Sequence, residues 1–261
     1  MAYREDFLLK LELNIVGGAT WVLNVDNEFK IACDPVLSPI GTEYNFKFFK
    51  SKRIKAPIYD DSTFENVKIW LITHNHADHI DELGIKRILK GDYVVSNKNS
   101  NELLKTAQNE NTVILGWHKT QIIKIRDITL EILAIPAFHG NNYLTRVFAG
   151  KVNGYLLTID NGEVKKTIYV TSDTVFNKKI IKSMKKQDID VLIANMGQVR
   201  SKMWGGPLTM DISMLNVFID EITPQKVIPV HIDDFSHYET RAEMLKENGI
   251  EVIENGSFIT L

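Results

Sequence analysis

Four side chains that commonly bind metals lie within six consecutive residues of the segment 71–81, which reads LITHNHADHID. They are His74, His76, Asp78 and His79. Neutral imidazole binds zinc, iron, manganese or nickel near neutral pH, and a carboxylate adds negative charge and can bridge two cations. Burying three imidazoles and a carboxylate side by side destabilises the folded state unless a cation pairs with them. The segment therefore predicts a metal site.

The spacing within this segment divides its ligands between two ions. Side chains at alternate positions of an extended segment point the same way, so His74 and His76 can bind one ion together. Asp78 and His79 follow a turn of the chain and would face a second ion from the start of a helix. Two ions roughly 3.5–4 Å apart need more protein ligands than one loop supplies.

Three further metal-binding side chains each follow an apolar run typical of a buried strand: His139, Asp173 and His231. Each has an ordinary explanation in isolation, since histidines after strands are commonly hydrogen-bonded core residues and aspartates commonly cap turns. Asp78 alone could likewise cap a helix beginning at Ile80. Taken with the cluster, their order along the chain favours one shared site with seven protein ligands.

Alternation of apolar and polar residues predicts the strands that carry these ligands. Residues 9–15, 21–25 and 29–33 predict an antiparallel meander that opens the chain. Strands and helices then alternate, with strands ending just before Asp173 and His231. This pattern indicates an α/β fold in which strands and helices from both halves surround a shared core.

Several local predictions concern the segments around this framework. Residues 37–64 lack periodicity, which indicates a long surface loop of the kind that often forms a lid. Residues 80–90 have the apolar spacing of a helix, residues 143–160 form a strand-rich stretch, and a closing strand is predicted from residue 250. Since no linker or low-complexity tract interrupts the chain, we predict one domain over residues 1–261.

Composition excludes several classes of function. Hydrophobic residues make up 44% and charged residues 25%, the ordinary balance of a globular protein. The formal charge of −2 gives no global field that would attract a nucleic acid. Cys33 is the only cysteine, which is typical of a protein in a reducing cytoplasm. The chain shows neither a signal peptide nor an apolar stretch of about 18 residues, so we predict no membrane insertion.

The motif H-x-H-x-D-H at residues 74–79, followed in order by His139, Asp173 and His231, resembles the metallo-β-lactamase superfamily of hydrolases. The resemblance implies an αββα sandwich, in which two mixed β-sheets are flanked by helices and hold the metals at one edge. It also implies two divalent ions, zinc or manganese in first place and iron or nickel as alternatives. The implied division of ligands is His74, His76 and His139 on the first ion, Asp78, His79 and His231 on the second, and Asp173 bridging both.

A finer resemblance points to the ascorbate-6-phosphate lactonase and N-acyl-phosphatidylethanolamine phospholipase D branch of this superfamily. Many relatives carry Gly-His-Ala or Gly-His-Ser where this chain has Gly17-Gly18-Ala19, at a place where substrate contacts can differ. The substrate therefore does not follow from the resemblance. The similar stretches are Asp34-Pro35, Thr-Ser-Asp at 171–173, and residues 205–211 together with 229–231.

A two-ion site predicts hydrolysis. A bound divalent ion lowers the pKa of water from 15.7 to about 7 and so supplies hydroxide at neutral pH, while a second ion stabilises the developing oxyanion. The hypothesis is that hydroxide held between the two ions attacks a carbonyl or phosphoryl centre. Asp78 is the predicted catalytic residue, which orients this hydroxide and accepts its proton.

Supporting residues are predicted from their positions beside the ligands. Asp34 and Thr73 are expected to fix imidazole orientation, a role that metal sites commonly require, although a turn residue and a strand end explain them equally well. Residues near the ligand loops are expected to contact substrate, against the ordinary alternative of a plain surface loop. These residues are Asn141, Tyr143, Arg200, Trp204 and His237.

Three functions remain open, in descending order. They are hydrolysis of a small lactone or ester, cleavage of a phosphodiester in a lipid or nucleotide, and metal binding without catalysis on the same fold. Redox di-iron relatives usually carry Glu where this chain has His76, so the imidazole favours hydrolysis. The expected partner is a small-molecule substrate rather than a nucleic acid, and assembly into a homo-oligomer is left open.

Overall fold

The computed structural model describes residues 9–46, 49–89, 91–105, 109–184, 187–200 and 205–261. Their strands are β1 (Leu11–Gly17), β2 (Thr20–Val25), β3 (Phe29–Cys33), β4 (Glu43–Phe46), β5 (Phe49–Lys52), β6 (Val67–Leu71), β7 (Tyr93–Ser96), β8 (Asn111–Ile114), β9 (Thr120–Ile125), β10 (Ile128–Ala137), β11 (Val152–Asp160), β12 (Lys165–Val170), β13 (Val191–Asn195), β14 (Lys226–Val230) and β15 (Phe258–Thr260). Their helices are α1 (Asp61–Phe64), α2 (Glu82–Ile85), α3 (Asn101–Leu104), α4 (Tyr143–Ala149), α5 (Lys178–Ser183), α6 (Ile212–Ile222) and α7 (Ala242–Glu247).

The first sheet carries the N-terminal meander. Its strand order is β15-β1-β2-β3-β6-β7-β8, seven strands within the described residues. Strands β15 to β3 pair antiparallel, whereas β3, β6, β7 and β8 pair parallel. The alternating apolar residues of the meander point inward, since Leu13, Leu23 and Ile31 lie opposite one another and are fully buried. The predicted meander is confirmed.

The second sheet carries the ligands that come late in the chain. Its order is β14-β13-β12-β11-β10-β9, six strands within the described residues. Strands β9 to β12 pair antiparallel, and β12, β13 and β14 pair parallel. Consequently β10, β12 and β14 run in the same direction, and their carboxyl ends lie along one edge of the sheet.

Helices cover the outer faces of both sheets. A core of apolar side chains lies between the sheets and joins Leu13 and Ile31 of the first to Ile132 and Ile193 of the second. A second apolar cluster places α5, α6 and α7 on the outer face of the second sheet. A third places α1, α2 and α3 on the outer face of the first. The predicted sandwich of two mixed sheets flanked by helices is therefore confirmed. None of the helices formed by the described residues has both the length and the apolarity to cross a lipid bilayer.

Several local predictions need correction. The stretch 37–64 is not a plain loop, because it contains the antiparallel pair β4–β5 and the helix α1. The helix predicted over 80–90 covers only α2, whose start is set by Asp81, the side chain of which accepts a hydrogen bond from the Gly84 backbone. The closing strand is β15, later than predicted, since the chain first turns at Gly256 with φ +84°.

The strand-rich prediction for 143–160 is wrong at its beginning, where α4 forms. The side chain of Asn142 accepts a hydrogen bond from the Thr145 backbone, and the Thr145 side chain bonds back to the Asn142 backbone. This reciprocal capping satisfies two backbone donors at the start of the helix and outweighs the β-propensity of the sequence. The helix ends at Gly150, which has φ +83°.

Candidate metal centre

Four segments at the carboxyl ends of strands bring together the seven side chains that the sequence predicts as metal ligands. Residues 74–79 follow β6, His139 follows β10, Asp173 follows β12, and His231 follows β14. Among the described residues, three groups have ligand atoms within 4.8 Å of one another and could each hold an ion. These groups are His74, His76 and His139; His74, His79 and Asp173; and Asp78, His79 and His231.

Asp173 lies between the first and the third of these groups. Its Oδ2 is 3.6 Å from Nε2 of His139, on the side of the first group. Its Oδ1 is 3.3 Å from Nε2 of His79 and 3.6 Å from Nε2 of His231, on the side of the third group. One carboxylate oxygen thus faces each group, which is the arrangement that a bridging ligand requires.

Several ligand atoms of the centre are buried without a hydrogen-bond partner among the described residues. They are Nε2 of His74, Nε2 of His79, both ring nitrogens of His231, and Oδ1 of Asp78. A buried polar atom without a partner destabilises the folded state by about 1–3 kcal/mol. Imidazole nitrogens and carboxylate oxygens are ligands that zinc, manganese and iron accept, so divalent ions fit this set of atoms.

Asp34 fixes the orientation of His79. It follows β3 in the left-handed conformation, with φ +42°, and its side chain is buried. The backbone N–H of Thr73 donates to its Oδ1 at 2.8 Å, and its Oδ2 lies 2.7 Å from Nδ1 of His79. Because a carboxylate only accepts, Nδ1 of His79 carries a hydrogen and Nε2 faces the centre. Burial alone would lower the pKa of His79, but the carboxylates of Asp173 and Asp34 hold it well above its usual range, so a metal that binds Nε2 displaces a proton.

Thr73 and the Leu208 carbonyl fix the orientation of two further imidazoles, those of His74 and His139. The Thr73 hydroxyl donates to Oδ2 of Asp34 at 2.5 Å, so Thr73 accepts from Nδ1 of His74 at 3.0 Å. Nδ1 of His139 donates to the carbonyl of Leu208 at 3.0 Å. Both rings therefore keep an unprotonated Nε2 for the centre, which is the form that binds a metal.

Burial and charge set the protonation states of the ligands. Burial, aided by neighbouring imidazoles, lowers the pKa of His74 and lowers the pKa of His76 to about 4. Burial alone would raise the pKa of Asp173, but the surrounding histidines, His231 first among them, hold it well below its usual range. The imidazoles of His74 and His76 are thus neutral at pH 7 and Asp173 is ionised, the states that metal binding needs.

Two glycines contact His231, one through a backbone hydrogen bond and one by leaving room for its ring. It lies in the left-handed conformation, with φ +62°, and its backbone N–H donates to the carbonyl of Gly18 at 2.8 Å. Gly18 has φ +61°, a conformation that glycine adopts readily, and a Cβ here would lie 3.5 Å from the ring of Phe235. A Cβ on Gly197 would lie 2.7 Å from Nδ1 of His231, closer than real Cβ contacts come. Gly197 therefore permits the close approach of this imidazole.

We expect Gly197→Ala to weaken one of two metal-binding steps about tenfold and to leave the other unchanged. The added methyl group has to displace His231, and a displaced ligand typically costs 10–100-fold in affinity. Isothermal titration of the metal-free protein with zinc measures both steps. Gly116→Ala is the matched control, since nothing lies within 4 Å of a Cβ at that position. Two unchanged steps in the folded Gly197 variant would contradict this account of His231.

Asp78 has contacts that the sequence did not reveal. The Tyr238 hydroxyl donates to its Oδ2 at 3.2 Å, and Nε2 of His237 lies 3.3 Å from the same oxygen. Tyr238 is buried, and its ring centroid is 4.0 Å from that of His231. Its position one residue after a predicted site histidine is the only sequence signal that could have identified it.

The residues predicted to contact substrate fall in different places. Among them, contact with a candidate ligand is seen for His237, through Asp78. Arg200 forms ion pairs of 3.7 Å with Asp211 and with Glu239. Tyr143 is 79% exposed at the start of α4. Asn141 approaches the loop at Gly206, where a Cβ would lie 2.3 Å from its Oδ1, and Trp204 lies outside the described residues.

Two aromatic side chains of the β4–β5 pair border the centre. The rings of Phe46 and Phe49 stack at 4.7 Å with an interplanar angle of 9°. The Phe46 ring is 6.4 Å from that of His76 and 5.1 Å from that of His237, and the Phe49 ring is 5.2 Å from that of His237. The segment predicted as a loop thus supplies an apolar wall beside the ligands.

Comparison with known proteins agrees with this geometry. The family model described as a beta-lactamase superfamily domain matches residues 30–232, a range that contains all seven candidate ligands. The chain is similar to a UPF0173 metal-dependent hydrolase of Pyrococcus abyssi, with 25% identity over 186 residues that cover 70% of this chain and 75% of that protein.

Solved structures resemble the whole fold. A structure described as a possible metal-dependent hydrolase from Veillonella parvula has a TM-score of 0.80 and 23% identity, covering 97% of this chain and 100% of that chain. An isothiocyanate hydrolase from Delia radicum gut bacteria has a TM-score of 0.78 and 21% identity, covering 95% of this chain and 98% of that chain. At these identities the likeness shows the fold alone.

Proposed function

The chain belongs to the beta-lactamase superfamily domain family, and from that premise we propose that it is a two-metal hydrolase of small lactones or esters. The observation that carries the proposal is the set of buried ligand atoms without partners, which lie in two groups on either side of Asp173. Divalent cations bound in these two groups would give most of these buried atoms a partner. The name of the Pyrococcus abyssi relative, a metal-dependent hydrolase, supports the same general chemistry.

The proposed roles of the residues follow from their contacts. When bound, divalent ions such as zinc or manganese lower the pKa of water to about 7 and polarise the bond to be cleaved. Asp78 is placed to orient the attacking water and accept its proton, because Oδ1 has no other partner among the described residues. The proposed ligands are His74, His76 and His139 for one ion, Asp78, His79 and His231 for the other, and Asp173 for both.

The apolar wall indicates the part of the substrate that does not react. Phe46 and Phe49 present stacked rings beside His76 and His237, and Phe49 is 38% exposed. Such a surface favours an apolar or aromatic substituent over a sugar phosphate. This surface supports the proposal of a lactone or ester with an apolar substituent, and the ascorbate-6-phosphate lactonase and phospholipase D branch stays a proposal supported by its short similar stretches.

Phosphodiester cleavage is the second candidate function. Lys50 and Lys52 are exposed on β5, the strand that also carries Phe49. Two cations on the strand that borders the centre would attract an anionic substrate, and such an attraction is screened by salt. Activity on a phosphodiester would therefore fall as ionic strength rises, whereas activity on a neutral lactone would not.

A substrate panel tests the proposal. The protein, loaded with zinc or with manganese, is assayed on lactones, carboxylic esters, phosphodiesters and isothiocyanates, each with a methyl and a phenyl member. We expect turnover of the lactones or esters, with higher kcat/KM for the phenyl members and little dependence on salt. Turnover confined to phosphodiesters would favour the second candidate. Two bound ions without turnover of any substrate would instead favour a metal-binding protein that is not an enzyme.

The proposed setting is the cytoplasm, with a small molecule as partner. The formal charge of −2 disfavours a nucleic acid, and Cys33 is a free, buried thiol. Assembly into a homo-oligomer stays a prediction, which the mass of the protein in solution would test.

A further inference from the structure

The β4–β5 pair is attached to the segment that carries His237. The Lys52 backbone N–H donates to the Ser236 hydroxyl at 3.0 Å, and the Ser236 backbone N–H donates to the Lys52 carbonyl at 2.9 Å. The Ser51 side chain is 3% exposed, and its Oγ lies 2.6 Å from Nδ1 of His237. The pair therefore reaches the imidazole through Ser51 as well as through its two phenylalanines.

The partners of His237 determine which ring nitrogen carries the hydrogen. Nε2 lies 3.3 Å from Oδ2 of Asp78, a carboxylate oxygen that only accepts. Nε2 of the neutral imidazole then carries the hydrogen, and Nδ1 has a lone pair that accepts from the Ser51 hydroxyl. The Ser236 hydroxyl, 3.3 Å from Oγ of Ser51, supplies the hydrogen that Ser51 accepts in turn.

This chain of hydrogen bonds ends at the carboxylate that the proposed function makes catalytic. Oδ2 of Asp78 is held from one side by the Tyr238 hydroxyl at 3.2 Å and from the other by His237. Its Oδ1 is left without a partner among the described residues. We propose that Ser51 is a positioning residue, whose hydroxyl donates to Nδ1 of His237 and holds the ring in the orientation and tautomer that direct Nε2–H to Asp78 and Oδ1 toward the reacting water.

The proposal rests on the proposed function for its kinetic part, whereas its tautomer part concerns the folded protein alone. Without the Ser51 hydroxyl, Nδ1 of His237 loses its donor and the ring can turn away from Asp78, where the carboxylate no longer selects one tautomer. The tautomer with hydrogen on Nδ1 would turn a lone pair toward the Asp78 carboxylate and lose the contact. The expected kinetic result is a fall in kcat of about tenfold with little change in KM, because Ser51 is 3% exposed and so out of reach of a substrate.

Long-range ¹H–¹⁵N spectra of the histidine rings in the zinc-loaded protein test the tautomer. His237→Gln assigns the signals of His237. We expect wild-type protein to show hydrogen on Nε2 alone, Ser51→Ala to show a mixture of tautomers, and Ser51→Thr to restore the wild-type spectrum and kcat. Ser183→Ala is the matched control, since its buried hydroxyl donates to the Lys179 carbonyl on α5, away from the centre, and its spectrum and kcat should stay at wild type. Ser236→Ala removes two bonds between the segments but keeps the Ser51 hydroxyl, so its loss of kcat should be smaller than that of Ser51→Ala.

Several outcomes would overturn the proposal. One is a wild-type His237 that carries hydrogen on Nδ1 or on both nitrogens, and another is a Ser51→Ala spectrum identical to wild type. Equal loss of kcat in Ser51→Ala and Ser236→Ala would assign the effect to attachment of the β4–β5 pair rather than to the tautomer. A protein that hydrolyses none of the panel substrates but shows the expected spectra would contradict the proposed function and leave the tautomer assignment standing.

Discussion

Replacement of Asp78 by alanine should lower kcat/KM about 10³-fold while the protein keeps its fold. The carboxylate is buried, its pKa is held well below the usual range by the imidazoles of His231 and His237 against the effect of burial, and its Oδ1 has no other partner among the described residues. A positioned proton acceptor contributes roughly 10²–10⁴-fold to a rate. Steady-state kinetics on the best substrate of the panel, with far-ultraviolet circular dichroism as the check of folding, measures the loss.

Two companion variants separate the charge of Asp78 from its shape. Asp78→Asn keeps the size of the side chain and loses the proton acceptor, so we expect its activity to fall nearly as far as that of the alanine variant. Asp190→Ala is the matched control, because this carboxylate accepts the Thr167 backbone N–H and pairs with Lys166, yet it directly precedes β13, at the end of the strand away from the centre. Turnover within threefold of wild type in both Asp78 variants would remove Asp78 from the mechanism.

The ligands could be predicted from the sequence because each lies where local pattern and topology agree. His74 and His79 lie in one short motif after an apolar run, and a strand that ends at the edge of a sheet delivers its next residue to that edge. His231 follows β14 for the same reason. Periodicity is a local property of the chain, and it suffices when every candidate ligand lies in the loop that follows a strand.

The partners of Asp78 could not be predicted in this way. Tyr238 is separated from Asp78 by 160 residues, and Ser51 from His237 by 186. These contacts depend on how the β4–β5 pair and the 231–238 loop pack, and no single-sequence pattern encodes a tertiary contact of that separation. Most residues of β4 and β5 are exposed, so these strands lack the regular alternation of apolar and polar residues by which a strand is identified in a sequence.

Asp34 illustrates an intermediate case. Its position before Pro35 suggested a turn, and the same left-handed backbone, with φ +42°, places its carboxylate between Thr73 and His79. One residue thus ends β3 and orients a ligand. The sequence indicated both roles but could not choose between them, because the choice depends on the parallel pairing of β3 with β6 that brings Thr73 alongside.

Removal of the metals is expected to abolish turnover and to lower the Tm of the protein. Several buried ligand atoms have no partner among the described residues, so they lower the free energy of unfolding of the metal-free protein. An ion that binds only the folded state stabilises it by about 2.7 kcal/mol when its free concentration is 100 times Kd. For a chain of this size that is about 5–10 °C in Tm for each ion. Scanning calorimetry before and after chelation, with metal analysis by mass spectrometry, measures the shift and the stoichiometry.

Because the candidate ligands fall into two groups, single substitutions can remove the two ions one at a time. His139→Ala should remove one ion and leave Asp78, His79 and His231 to hold the other, whereas His231→Ala should do the reverse. Each variant is then expected to bind one ion instead of two and to lose about half of the stabilisation by metal. His118→Ala is the matched control, a histidine outside the three candidate groups. If removal of the metals by chelation changed neither the Tm nor the activity of the wild-type protein, the protein could not be a metal hydrolase. Its buried imidazoles would then be stable without cations.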